Sequence, residues 1–148
     1  MRTGNKEKGA SAVEFALVLP VLILLLFGII EFGLLLYDKA VITNASREGA
    51  RAGIVYVTTV GAGGTATAVP PEEITDTVDS YIASSLISLG TDESVPVTTV
   101  AGNCAVAGSA LTVTVNYPYS FLVLPNFAKG TGASIMLTAT TVMNCENQ

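Results

Sequence analysis

The sequence predicts an α+β chain. A long N-terminal membrane-spanning helix is followed by a small domain in which one helix packs on a three-stranded antiparallel sheet. Three observations lead there. Residues 15–37 read FALVLPVLILLLFGIIEFGLLLY, with Glu31 the one ionisable side chain before Tyr37. Residues 72–89 carry apolar side chains at helical spacing, and the last third of the chain alternates apolar residues with threonine. Composition agrees. Of 148 residues half are hydrophobic and 13% charged, with a mean hydropathy of +0.58, whereas soluble domains average roughly 25% charged. The length suffices for one modest domain.

The chain opens on a basic leader, residues 1–9, where Arg2, Lys6 and Lys8 face only Glu7. As a helix rising about 1.5 Å per residue, the apolar run from 15 to 37 covers about 34 Å, enough for a hydrocarbon core of roughly 30 Å. A buried helix of a soluble protein would show a polar face, and residues 15–30 show none. A cleaved secretory signal would be shorter and end in a small-x-small site, which is absent before Tyr37-Asp38-Lys39. A transmembrane helix over 10–37 is therefore expected, kinked or loosened at Pro20. Gly28 and Gly33 offer flat surface for a second helix. Glu31 either snorkels to the outer interface, pairs with a cation on a partner helix or stays protonated.

The residues before the helix read GASAVEF over 9–15. Gly9 closes the leader and Glu14 stands five residues on, at the edge of the apolar run, where an unpaired carboxylate is costly. Cleavage after Gly9 would free the ammonium of Ala10, one helical turn from Glu14 or within reach of it on an adjacent subunit. This arrangement resembles a type IV prepilin signal, in which a membrane aspartyl peptidase cuts after the glycine and glutamate follows at mature position five. The continuation VEFALVLPVLILLLFGIIEFG resembles the N-terminal signature of TadE-like proteins, minor pseudopilins of Tad (Flp) pilus systems. A choice among the readings of Glu31 comes only from this resemblance, whose IIEFG segment favours a packing role. NASREGARAG at 44–53 is similar to the segment that follows the helix in that family. The resemblance covers residues 9–53 and is only general beyond them.

Residues 38–53 extend the helix, with Ile42, Ala45, Gly49 and Ala52 forming a narrow stripe of mostly small residues. Arg47 and Arg51 sit one turn apart on another face, paired locally with Glu48 or docked to acids elsewhere. The extracytoplasmic domain is expected over 54–148. Residues 60–71 (VGAGGTATAVPP) read as a loop. A helix follows, opened by Pro71 with Glu72 and Glu73 in its first turn and closed by Gly90. Its apolar face is Ile74, Val78, Tyr81, Ile82, Ser85 and Leu86. Glu72, Glu73, Asp76 and Asp79 read as its solvated face rather than a cation site. Strands are expected at 95–100, 110–121 and 135–145, with turns at 105–109 and 124–134.

With 110–121 as the middle strand, the end of the first strand and the end of the third meet at one edge. Cys104 and Cys145 occupy those ends. In an oxidising compartment they form a disulfide closing a loop of about forty residues, worth ~3–4 kcal/mol in the chain-entropy view. A catalytic thiol would need activation, and the chain has no histidine.

No enzyme signature is visible. There is no Gly-x-Ser-x-Gly, no Ser with a Lys three residues on, and GAGG at 61–64 lacks the lysine of a phosphate-cradling loop. No cofactor and no metal are expected. From Glu72 onward seven acids face Lys129 alone, which leaves no basic patch for nucleic acid. A basic start and an acidic end suit a single-pass protein with its N-terminus in the cytoplasm and its domain outside; the resemblance implies that the membrane is the bacterial cytoplasmic one. The resemblance implies a minor pseudopilin that enters or initiates an adhesive Tad pilus. Its implied partners are other pilins and pseudopilins, the prepilin peptidase, inner-membrane Tad assembly proteins and the lipid bilayer. The alternatives are an uncleaved single-pass anchor whose domain binds an envelope or assembly partner, and a major filament subunit.

Overall fold

A computed structural model describes residues 4–58, 66–87, 95–106, 108–121 and 134–145, with side chains of the first helix described from Gly9. Helix α1 runs unbroken from Gly4 to Gly53, 50 residues and therefore about 75 Å long. It passes through Pro20 without interruption, although proline leaves the carbonyl four residues earlier without its helical donor. Two short strands follow, β1 (Tyr56–Thr58) and β2 (Ala66–Ala68), paired antiparallel with Tyr56 opposite Ala68. The sequence assigned all of 60–71 to a loop; Ala66–Ala68 is instead a strand, and residues 59–65 lie outside the described part.

Helix α2 spans Pro71–Ser85. Pro71 fits the first helical position because its missing N–H would have no partner there, and Glu72 and Glu73 meet the positive end of the helix dipole. The helix stops four residues before the expected end at 89. Leu86 is extended, its amide closing the last turn on the Ile82 carbonyl at 2.8 Å. The next amide, Ile87, turns to the carboxylate of Asp38 at 3.4 Å instead of continuing the helix. Gly90 is outside the described residues.

The sheet is β3 (Val97–Ala101), β4 (Ala110–Ser120) and β5 (Ser134–Asn144), antiparallel in that order. Leu111, Val113, Val115, Tyr117 and Tyr119 of β4 are buried on one face, and Thr112, Thr114, Asn116, Pro118 and Ser120 alternate onto the other. The outer face is laced by Thr114 to Thr140 and Thr138 to Asn116 hydrogen bonds. Cys104 and Cys145 form the expected disulfide just past the ends of β3 and β5, Cα atoms 5.3 Å apart.

The helix covering β4 and β5 is the second half of α1, with α2 alongside it and against β3. The sequence placed the second helix alone on the sheet. The cause is the small-residue stripe, broader than expected: Ile42, Ala45, Ser46, Gly49, Ala50 and Gly53 are buried, while Ala52 is half-buried. A Cβ on Gly49 would collide with Val78, and one on Gly53 would stand 2.5 Å from Leu111 and 2.6 Å from Ile74. Glycine lets α2 and β4 approach the α1 backbone closely enough to exclude water. Ser46 Oγ also bonds Thr141 Oγ1 of β5 at 2.8 Å, and Lys39 Nζ donates to the Thr138 carbonyl.

Candidate functional site

α2 and β4 both run antiparallel to α1, which gives the molecule two ends. At the upper end Gly53 meets Ile74 and Leu111. At the lower end Tyr37 Oη donates to the Ser85 carbonyl at 3.1 Å, and Tyr119 Oη donates to the Glu31 carbonyl at 3.3 Å. Among the described residues nothing packs on the helix below Glu31. Residues 9–30, apolar except for Ser11 and Glu14, are exposed apart from half-buried Leu19 and Gly28, and 22 residues span about 33 Å. The packed unit thus begins at Glu31, inside α1, rather than at residue 54.

The residues expected to take part in processing and helix packing all lie on α1. Gly9, Ala10 and Glu14 are exposed, and the Gly9–Ala10 bond lies within the helix. Pro20 and Gly33 are exposed and Gly28 is half-buried; no atom comes within 4 Å of a Cβ built on either glycine. Gly33 is two residues beyond Glu31 and therefore about 200° round the helix, on the side away from the domain. Glu31 itself is only 3% exposed and lies against its own domain. A helix of another chain would meet the Gly33 side, not the Glu31 side.

The junction holds a residue that the sequence did not mark. Asp38 is fully buried; Oδ1 accepts the long Ile87 amide bond, and Oδ2 has no hydrogen-bond partner among the described residues. Burial pushes its carboxyl above the usual range, and the Ile87 amide opposes that only in part. Tyr119, T-stacked between Tyr117 and Phe121, has its phenol raised chiefly by burial and then by Glu31, Asp38 and Tyr117. A carboxylate closing an apolar run normally marks the exit into water, so no sequence signal separates this buried Asp38 from an exposed one.

The remaining expectations fall elsewhere. Arg47 and Arg51 are exposed on α1, and Glu72, Glu73, Asp76 and Asp79 are exposed along α2, as a solvated face requires. Among the described residues no three acids, cysteines or histidines gather closely enough to hold a metal.

A rod of this kind, long and apolar enough to cross a membrane and wholly uncovered in its most apolar window, joined to a small α+β domain, defines the class: a candidate single-pass membrane protein. The comparison with known families falls on the same segment. The family model described as TadE-like protein matches residues 9–51, the rod together with the part of α1 that enters the core. No curated protein and no solved structure matches the chain. The match and the helix fit a membrane protein associated with a Tad pilus.

Proposed function

We propose that the protein is a minor pseudopilin of a Tad pilus system, clipped after Gly9 by a prepilin peptidase and assembled through residues 10–30 with other pilins. The observation that carries this reading is the coincidence of two boundaries. The TadE-like match begins at Gly9, and the uncovered rod that follows ends where the domain takes hold at Glu31, leaving a membrane-length helix. In this arrangement the N-terminus is cytoplasmic and the domain is outside, where Cys104 and Cys145 meet an oxidising environment. The freed Ala10 ammonium offsets the Glu14 carboxylate of its own or a neighbouring chain, and Gly33 presents a bare flank to a partner helix. The sheet domain remains free to meet assembly proteins or an adhesion target.

One observation favours the uncleaved anchor as second reading. α1 begins at Gly4, so the Gly9–Ala10 bond is helical and a protease must unwind it before cutting. Mass analysis of the amino terminus from membranes with and without the prepilin peptidase separates the two. The pseudopilin reading expects a chain beginning at Ala10 only where the peptidase is present. An intact leader in peptidase-positive cells overturns it in favour of the anchor.

A further inference from the structure

Charge is distributed along the long axis of the domain, and the gradient has a direction. The acids of α2, Glu72, Glu73, Asp76 and Asp79, occupy its first nine residues, at the upper end beside Gly53. Its second half and the residues after it, Ser80–Ile87, carry none. The same is true of the lower ends of the strands, Tyr117–Phe121 and Ser134–Leu137. In α1 below Asp38, the acid in the packed segment is Glu31, which is buried. Among the described residues below Asp38 and Lys39, the lower end of the domain therefore exposes no formal charge; Asp92, Glu93 and Lys129 lie outside the described residues.

Large apolar side chains stand there instead. Phe32, Leu36, Tyr37, Ile87, Ile135 and Met136 are between 40% and 60% exposed. They come from α1, the end of α2 and the start of β5, three elements far apart in sequence and brought to one level by Tyr37–Ser85, Tyr119–Glu31 and the Tyr119–Ile135 register. Water at such a rim is unfavourable by about 25 cal/mol for each Å² of apolar surface. The rim is continuous with the apolar rod that leaves it at Ile30.

We propose that this rim is a lipid-seating surface: the lower end of the domain beds into the boundary between headgroups and acyl chains, around the point where α1 emerges. The inference rests on the reading that residues 9–30 span the bilayer. A rod of about 33 Å, slightly longer than a hydrocarbon core of roughly 30 Å, puts residues 31–37 at the interface. Amphipathic segments there sink about 5–10 Å, and a half-exposed tyrosine such as Tyr37 favours that level. The seat fixes the height of the domain over the membrane before any assembly step, and the described part of the surface offers no cationic cluster that would call for anionic lipid.

The chain has no tryptophan, so a single introduced indole reports its own surroundings. Full-length Met136→Trp, Ile87→Trp, Leu22→Trp and Thr112→Trp are reconstituted in phosphatidylcholine vesicles whose acyl chains are brominated near the headgroup or near the centre. Leu22→Trp is expected to lose emission to the deep bromines and Thr112→Trp to neither. Met136→Trp and Ile87→Trp are expected to shift to the blue and lose emission to the shallow bromines, equally at low and high salt. Deep quenching at Leu22 with no quenching at 87 or 136 overturns the seat and leaves the spanning helix standing. A blue shift at 136 without quenching by either lipid means that a second protein chain covers the rim, and also overturns it. Absence of quenching at Leu22 removes the spanning helix and the seat together.

Discussion

Asp38→Asn should stabilise the protein at neutral pH and do nothing for it in acid. A buried polar atom left without a partner costs about 1–3 kcal/mol, and more when it bears charge, and among the described residues Asp38 Oδ2 is such an atom. Asparagine keeps the shape and the Oδ1 acceptor for the Ile87 amide while removing the charge that burial disfavours. The folded carboxyl titrates above its ordinary value of 3.8, so the folded state holds the proton more tightly than the unfolded one. Stability contributed by this group is therefore complete below about pH 4 and is lost as pH rises through the folded value. Taking a recovery of about 1 kcal/mol at pH 7, the substitution raises Tm by roughly 4 °C for a unit of this size. Circular dichroism melts of the full chain in micelles, wild type against Asp38→Asn at steps from pH 3.5 to 7.5, give the difference directly. It should start near zero and grow with pH. A constant difference, or a variant that melts lower at neutral pH, would refute the claim that Asp38 is a desolvated carboxylate.

Three further outcomes are expected. Gly49→Val drives a side chain into Val78 and should cost at least the 1–3 kcal/mol typical of overpacking, read as a lowered Tm; Gly33→Val, on the open flank, should leave Tm unchanged. Cys104→Ala and Cys145→Ala should each destabilise by about 3–4 kcal/mol and the double variant by no more than either alone, in denaturant titrations without reductant. Gly9→Val should leave the leader on the chain in peptidase-positive cells, seen as an unprocessed N-terminal mass, with the melting temperature of the domain unaltered.

The strands were legible because β4 and β5 alternate residue by residue, and a period of two has no other reading once turns bracket it. Their order then made the disulfide legible: with β4 central, the ends carrying Cys104 and Cys145 had to meet. The β1–β2 pair was not, since Ala66, Thr67 and Ala68 offer neither bulk nor alternation and follow a glycine-rich run. The part played by α1 in the core was only half visible. Ala45, Gly49, Ala50 and Gly53 are too small to give a strong apolar stripe, yet smallness is what lets Val78, Ile74 and Leu111 reach the helix backbone. For Glu31 the likeness at IIEFG suggested packing on another helix; its burial against its own domain depends on Tyr119, 88 residues away, a pairing no local pattern carries.

Because residues 31–53 serve as both the upper part of the anchor and a wall of the core, the exposed unit cannot be severed where the apolar run gives way to the folded segment. A blade placed after Gly53 would strip Ile42, Ala45 and Ala50 from the core they share with Val113 and Val115 and leave β4 and β5 without their α1 cover. A cut just ahead of Glu31 would carry the wall along with what it supports. Because rod and wall are one continuous helix, a force that lifts the rod out of the bilayer reaches the core directly and moves both as a single piece.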